Sequence, residues 1–339
     1  MIEEDLQMPR PQRVAVTGVS HWHSTYDAAY LRILADLKLD IVGVSDANGE
    51  VAQDRAERFD STAFADYRTM IEETRPEFVV ALGRHVEMPE IFRYLVGTGI
   101  PFMMEKPWGV DAETVAGLAD LAEEKGTWVA VPFITRYSHW AEVARQMIED
   151  GEFGTVSHIV FRMIRPTAER YKEWDSPWVL SRRFAGGGAL TTLGVHGMDI
   201  ARFITGEDIS VVSAVISSAI HRLDVEDYAM VTLRTSSGIV FHNEVGYTMP
   251  TWPLNSTDAE RKVAGEVAML REVNGGLQIL APHRNEVIPT PANYIDGYRR
   301  VVIECLDRIE DGRPPPVGAR ECARAVSLIH DAYMMARRG

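Results

Sequence analysis

The sequence predicts an α/β chain in two parts: an N-terminal doubly wound parallel sheet, then an α+β unit with a large, mostly antiparallel open sheet. Three observations predict it. Strand-like and helix-like stretches alternate up to about Pro132, the pattern of parallel strands joined by helical crossovers. After Pro132 one helical stretch gives way to strands of alternating polarity, the mark of an antiparallel sheet with one broad face. The 339 residues exceed what one core ordinarily serves and suit two domains, 1–132 and 133–339.

Arg13-Val14-Ala15-Val16-Thr17-Gly18 is a short β-rich run ending in glycine. Behind it Tyr26, Ala29, Tyr30, Ile33, Leu34 and Leu37 recur at helical spacing, with Ser24 or Thr25 as candidate N-cap. Strand, tight turn and helix open a nucleotide-binding βαβ unit. The turn, Gly18-Val19-Ser20-His21-Trp22-His23, keeps only the first glycine of a dinucleotide fingerprint, whose small residues let backbone N–H groups approach a pyrophosphate. Ser20 preserves that approach, whereas His23 in the third glycine's place loosens helix–strand packing. Gly18, Ser20, His21, Trp22 and His23 are the first cofactor-facing candidates. His21 and His23 also have the spacing of a metal pair, but no cysteine or carboxylate cluster completes a site, so no metal is expected.

The second strand, Ile41 to Asp46, ends in an acid 28 positions after Gly18. Asp46 can accept hydrogen bonds from an adenosine ribose and would repel the extra phosphate of NADP. With Ala47 rather than an arginine behind it, NAD is the expected cofactor. The competing reading makes Asp46 a turn residue before Asn48-Gly49. Helical stretches over 51–59 and 67–73 precede the apolar run Phe78 to Gly83, of buried parallel-strand type, whose last residues Leu82 and Gly83 join the cofactor-facing set. A helix over 87–96, closed by Gly97 and Gly99, leads to a strand at 101–104 that ends abruptly in Glu105-Lys106-Pro107. In open α/β sheets ligands sit at that edge; the plainer alternative is a surface salt bridge. A helix from Asp111 to Gly126 and the run Trp128 to Val131 complete the first half.

Beyond Pro132 the pattern predicts a helix over 138–149, strands over 157–164, 211–220, 228–235 and 239–247, and closing helices over 294–309 and 319–336. Ser236-Ser237-Gly238 is the hairpin turn between the last two strands. A broad sheet face is often covered by a second copy of the chain, so a homo-oligomer through this sheet is expected. Gly186-Gly187-Gly188 leads into a helix carrying His196 and Asp199 three apart, hence on one face, where Asp199 is placed to steer the imidazole.

Composition excludes several partners. The 49 acids against 35 bases give a formal charge of −14, which repels nucleic-acid backbones and anionic membrane surfaces. No apolar run is long enough to span a bilayer, and the acidic start, Met1 to Asp5, lacks signal-peptide character. Cys305 and Cys322 fall in helical patterns as buried thiols rather than a disulfide. The cytoplasm is the expected compartment.

With these stretches in view, the chain resembles the glucose–fructose oxidoreductase, inositol dehydrogenase and rhizopine-catabolism superfamily of NAD(P)-dependent oxidoreductases. The resemblance runs through the degenerate nucleotide turn, Glu105-Lys106-Pro107, Arg136-Tyr137 at the domain junction, Gly154, and the triple glycine ending in His196 and Asp199. It implies an NAD-dependent dehydrogenase acting on a secondary alcohol of a sugar, cyclitol or sugar-acid derivative. Lys106 then matches the lysine that bonds substrate hydroxyl and nicotinamide side, before a Pro107 whose peptide is often cis in relatives, and His196 matches the acid/base. Glu105, Pro107 and Arg136 join the cofactor-facing residues. Tyr137, Trp174, Arg183 and Thr192 join the substrate-facing ones, since aromatic faces stack on sugars and arginine bonds hydroxyls or carboxylates; for Trp174 the alternative is core packing.

Thr192 stands where such dehydrogenases carry an aspartate, four residues before the histidine. Threonine exchanges hydrogen bonds but supplies no charge. Either Asp199 substitutes, Lys106 dominates the proton transfer, or the chemistry is altered. Two other readings keep the fold: an enzyme that uses NAD redox transiently to cleave a glycosidic bond, and a nucleotide-sensing regulatory protein without turnover.

Overall fold

Val14, Val16, Val79 and Val80 have no exposed surface, because the short strands that carry them are covered on both faces. The computed structural model describes residues 9–250, 257–291 and 295–337. Its first sheet is built from β1 (Arg13–Thr17), β2 (Asp40–Ser45) and β3 (Ala63–Phe64), with α1 (Tyr30–Asp36) and α2 (Gly49–Arg58) between them. After α3 (Tyr67–Thr74) come β4 (Phe78–Ala81), α4 (Met88–Thr98), β5 (Phe102–Met104), α5 (Ala112–Glu124) and β6 (Val129–Ala130). The order is β3-β2-β1-β4-β5-β6 and every pairing is parallel. The order in which strands are added reverses between β1 and β4, so a crevice opens at their carboxyl ends.

The first crossover differs from expectation. Trp22–Ser24 forms a single tight turn, Asp27 and Ala29 adopt left-handed backbone at φ 48° and 50°, and α1 starts only at Tyr30. Ser24 Oγ donates to the Val19 carbonyl at 2.7 Å instead of capping a helix. Trp22, His23 and Ser24 of this turn are buried.

The second half opens with α6 (His139–Glu149), capped by Ser138 Oγ on the Ala141 N–H, and β7 (Val156–Pro166). Short helices α7 (Arg170–Glu173) and α8 (Arg182–Ala185) precede α9 (Val195–Thr205). Then follow β8 (Ile209–Ser217), β9 (Tyr228–Thr235), β10 (Val240–Met249), β11 (Asp258–Gly265), β12 (Met269–Val273), β13 (Gly276–Ala281) and β14 (Arg284–Pro289). The eight strands are ordered β14-β13-β12-β11-β7-β10-β9-β8, antiparallel except for β7 with β10. The last four strands went unread in the sequence, although Asn274-Gly275 between β12 and β13, with Gly275 at φ 83°, is a hairpin signal.

Ile159, Phe161, Val231, Leu233 and Phe241 on one sheet face are fully buried, in one cluster with residues of α6, α9 and the closing helix α11 (Ala319–Ala336). On the opposite face Val215 and its cross-strand neighbour Met230 are exposed. The helix expected over 294–309 is α10 (Gly297–Glu310), capped by Asp296; Tyr294 lies outside the described residues. It returns to the first unit: Val301, Val302, Cys305 and Leu306 pack in one cluster with Val14, Val16, Leu34 and Val80. Helix α10, late in the chain, thus packs in the core of the first sheet. Both cysteines are buried and free. Among the described residues no helix is long and apolar enough to cross a membrane.

Candidate active site

Two clefts lie on either side of the aromatic residues His21, Trp22 and Trp178. The outer one, about 580 Å³, lies at the carboxyl ends of β1, β2 and β4, and Asp175, Pro177 and Trp178 of the second unit close its far side. Gly18, Ser20, Asp46 and Gly83 line it. Gly18 sits at φ 65°, and a Cβ there would stand 2.3 Å from the Leu82 carbonyl oxygen, so only glycine fits where β1 turns past β4. Leu82 itself is buried beneath the cleft, its carbonyl accepting from Thr17 Oγ1 at 3.1 Å. Asp46 accepts the Ser20 N–H at 2.7 Å and the Asn48 N–H at 2.9 Å, which fixes the carboxylate at the end of β2. Arg68 pairs with Asp66 and Glu90, and Arg84 with Glu87, so both cations in the cleft are neutralised. A backbone cradle that excludes a side chain, an acid at the second strand and this volume fit a dinucleotide.

His21, Trp22 and His23 do not line that cleft. They turn inward, nearly fully buried, with His21 stacked on Trp22 at 3.9 Å. Trp22 and His23 instead wall an inner cavity of about 180 Å³, where they meet Lys106, Thr192, His196, Tyr171 and Arg170.

Glu105 and Lys106 are both buried, at 1% and 2% exposure, so they are not a surface ion pair, and each has its own partners. Glu105 Oε1 accepts from Tyr30 Oη at 2.7 Å and faces His23 Nδ1 at 2.9 Å; Tyr298 Oη lies 3.3 Å from the other ring nitrogen. Burial by itself raises the Glu105 pKa, but His23, its hydrogen bond and Lys106 outweigh burial and hold the carboxylate well below its usual range. Lys106 Nζ donates to the Thr192 carbonyl at 2.9 Å, and the peptide to Pro107 is cis.

The partner of Lys106 is presented by an irregular helix start. Gly187 and Gly188 lie where a Cβ would meet Tyr333 Oη and the Glu226 carbonyl, each at 2.0 Å. Glu226 Oε1 takes the Gly188 and Leu190 N–H groups at 2.9 Å, and a π-turn over Leu190–Gly194 feeds α9, a distortion that recurs at functional sites. His196 follows, 5% exposed. Burial lowers its pKa well below the usual value and the charge of Lys106 lowers it further, against the pull of Glu105. The imidazole is therefore neutral at pH 7, and its Nδ1 has no partner among the described residues.

Asp199 does not steer it. Both Asp199 oxygens are taken by Arg136, through Nε at 2.8 Å and Nη2 at 2.5 Å, and Arg136 also reaches Glu321 at 3.2 Å. Three residues along the helix is only approximately one face, and the turn over Ile134–Tyr137 captures the acid on the far side. Arg136 is thereby committed to a structural pair and lines neither cleft. Thr192, in the place of the expected acid, bonds Tyr247 Oη and the Gly188 carbonyl through Oγ1, the latter at 3.1 Å.

Three expected cavity walls lie elsewhere. Tyr137 packs under α10, its ring 5.3 Å from the Arg300 guanidinium. Trp174 stacks on Tyr26 at 5.4 Å, the core role that was its alternative. Arg183 is exposed on α8 beside Phe184. Sequence reasoning missed Arg170 and Tyr171, which take the wall positions instead; in Glu169-Arg170-Tyr171-Lys172-Glu173 they look like part of a solvated charged helix.

Two family models match: an NAD-binding Rossmann-fold oxidoreductase family over residues 12–133, and the GFO/IDH/MocA C-terminal domain over 142–271. Levoglucosan dehydrogenase of Pseudarthrobacter phenanthrenivorans is 26% identical over 253 residues, 71% of this chain and 58% of that protein. D-glucoside 3-dehydrogenase of Escherichia coli is 26% identical over 202 residues, 58% and 54% of the two chains. The chain thus spans little more than half the length of these curated relatives. A solved levoglucosan dehydrogenase in complex with NADH and levoglucosan superposes with TM-score 0.83 at 19% identity, covering 96% of this chain and 97% of that one, which shows the fold. With both modules matched in order around the two clefts, the chain belongs to the GFO/IDH/MocA family of NAD-binding oxidoreductases.

Proposed function

We propose that this protein is an NAD-dependent dehydrogenase that oxidises a secondary alcohol of a sugar, cyclitol or sugar-acid derivative, or reduces the corresponding ketone. The observation that carries the reading is the inner cavity, where a buried lysine and a neutral, buried imidazole line one small space beside the nucleotide cleft. A nicotinamide dinucleotide held by Gly18, Ser20 and Asp46 in the outer cleft would supply the hydride acceptor or donor for the carbinol carbon. Lys106 holds the alcohol oxygen through Nζ and favours its alkoxide character by charge. His196, kept unprotonated by burial, accepts the hydroxyl proton. Neither Thr192, which is uncharged, nor Asp199, which is spent on Arg136, helps to stabilise the imidazolium, leaving the pull of Glu105, so Lys106 carries more of the stabilisation through the alkoxide. Both named curated relatives are sugar dehydrogenases, which supports the substrate class.

Asp46 at the ribose end, with Arg68 and Arg84 already paired, supports NAD over NADP. The exposed Val215 and Met230 on the outer sheet face support self-association through that sheet, and two free, buried cysteines suit the cytoplasm. The test is a panel of sugars, cyclitols, sugar acids and glycosides with NAD or NADP, following nicotinamide absorbance and product release together. Absorbance growth with NAD is expected. Glycoside cleavage without net NADH moves the assignment to redox glycosidase, tight NAD binding without turnover moves it to a regulatory protein, and equal turnover with NADP removes the role given to Asp46.

A further inference from the structure

We infer that the molecule taken by the inner cavity carries a carboxylate, and that Arg170 binds it. This deepens the dehydrogenase reading and rests on it for the alcohol end of the same molecule.

Arg170 is 1% exposed, and among the described residues no carboxylate pairs with it. Its Nη1 donates to the Pro166 carbonyl and its Nη2 to Tyr171 Oη at 3.1 Å, while its Nε is buried without a partner. Guanidinium has five N–H donors in a planar fork, so this one retains unused donors while lining the cavity. The rings of Tyr171, Tyr247 and Trp174 lie 4.6, 4.9 and 5.8 Å from its central carbon. They hold the fork in place but supply no counter-charge, and a buried cation without one is strongly disfavoured.

The remaining charges at the cavity do not supply it. Asp27 is bound to Arg165 at 2.9 Å, and Glu105 is held by His23 and Tyr30. Lys106 adds a second cation whose Nζ bonds a backbone carbonyl. A chain of formal charge −14 thus keeps an excess of positive charge in a small site lined by buried side chains, which selects an anion. The planar fork matches a carboxylate. A volume near 180 Å³ is below the range of drug-sized pockets and suits a single sugar ring or open-chain sugar acid, with the carboxylate on Arg170 and the reacting hydroxyl between Lys106 and His196.

The experiment compares uronic and aldonic acids with their primary amides, which keep the shape and lose the charge. Binding to the NADH-loaded protein is measured by calorimetry, and turnover separately by nicotinamide absorbance. At least one acid is expected to bind about tenfold or more tightly than its amide. Arg170→Gln should close that gap, and Arg170→Lys should retain part of it; melting curves establish that each variant is folded. Equal binding of every acid and its amide, or a gap that survives Arg170→Gln, overturns the inference, and the first of these needs only the wild-type chain. Arg170-dependent acid binding without any NADH formation keeps the anion site and removes the dehydrogenase reading. NADH formation from neutral polyols alone does the reverse.

Discussion

The two clefts are made of different material. Backbone draws the nucleotide cleft: a glycine that tolerates no Cβ, the ends of three strands, and one acid pinned by two amides. Its cations are cancelled where they stand, Arg68 by Asp66 and Glu90 and Arg84 by Glu87. Buried side chains draw the inner cavity, and there Lys106 rests on a carbonyl and Arg170 among aromatic rings. Charge on buried side chains acts more strongly than at an exposed surface. A wide, balanced cleft can hold a large ligand without favouring any step, whereas a small cationic one can bias the protonation of what it holds.

Lys106→Met tests that division most severely. Methionine keeps the apolar stem and deletes both the charge and the bond to Thr192. Steady-state kinetics on the best substrate should show kcat/KM lower by about 10³-fold, the scale of lost positioned charge and acid–base help. NADH affinity, read from fluorescence titration, should move by less than about threefold if the two regions are energetically separate. An equal collapse of cofactor affinity would mean that the clefts act as one site.

The same contrast explains what the sequence disclosed. Features carried by backbone periodicity were legible: the alternation ending at Pro132, the glycine after β1, and the acid and lysine at strand ends. Lys106, Thr192 and His196 were marked out by the family resemblance, and they meet in one cavity. Features decided by which way a buried side chain turns were not legible. Asp199 is three residues from His196, yet Arg136, 63 positions away, claims it. Tyr137 and Arg183 had suitable chemistry and point elsewhere, whereas Arg170 sits in a charged run that reads as solvated surface. Helix α10 was read as a helix but not as a return to the first sheet, because its apolar stripe does not say which core it fills.

A smaller effect is expected from supplying the missing charge. Position 192 is one helical turn before His196, so Thr192→Asp brings a carboxylate toward the imidazole. It should raise the proton affinity of a group that burial and Lys106 now hold low. The base form is then lost at higher pH on acidification, so the acid limb of kcat/KM should move up by about one pH unit. An unmoved limb would show that the proton does not go to His196, leaving Lys106 as the group that sets the profile.

The smallest expected effect concerns the partition between the two regions. His21 and His85 are buried in it, both facing Trp178, at 5.7 and 5.1 Å between rings, and Trp178 also lines the nucleotide cleft. Burial lowers the His85 pKa to about 4 although its bond to the Ala185 carbonyl opposes this, and His21 is lowered in the same direction by burial and by His23. Below the unfolded value near 6.5 the unfolded chain binds protons that the folded chain refuses, so stability present above pH 6.5 is lost as pH falls toward 4. For His85 the linkage amounts to at most about 3 kcal/mol across that window. Asparagine can keep the bond to the Ala185 carbonyl without a titrating ring. Melting temperature measured from pH 7 to pH 5 should therefore fall by a few degrees less in His85→Asn than in the wild type, and parallel curves would show that the partition does not take up the proton.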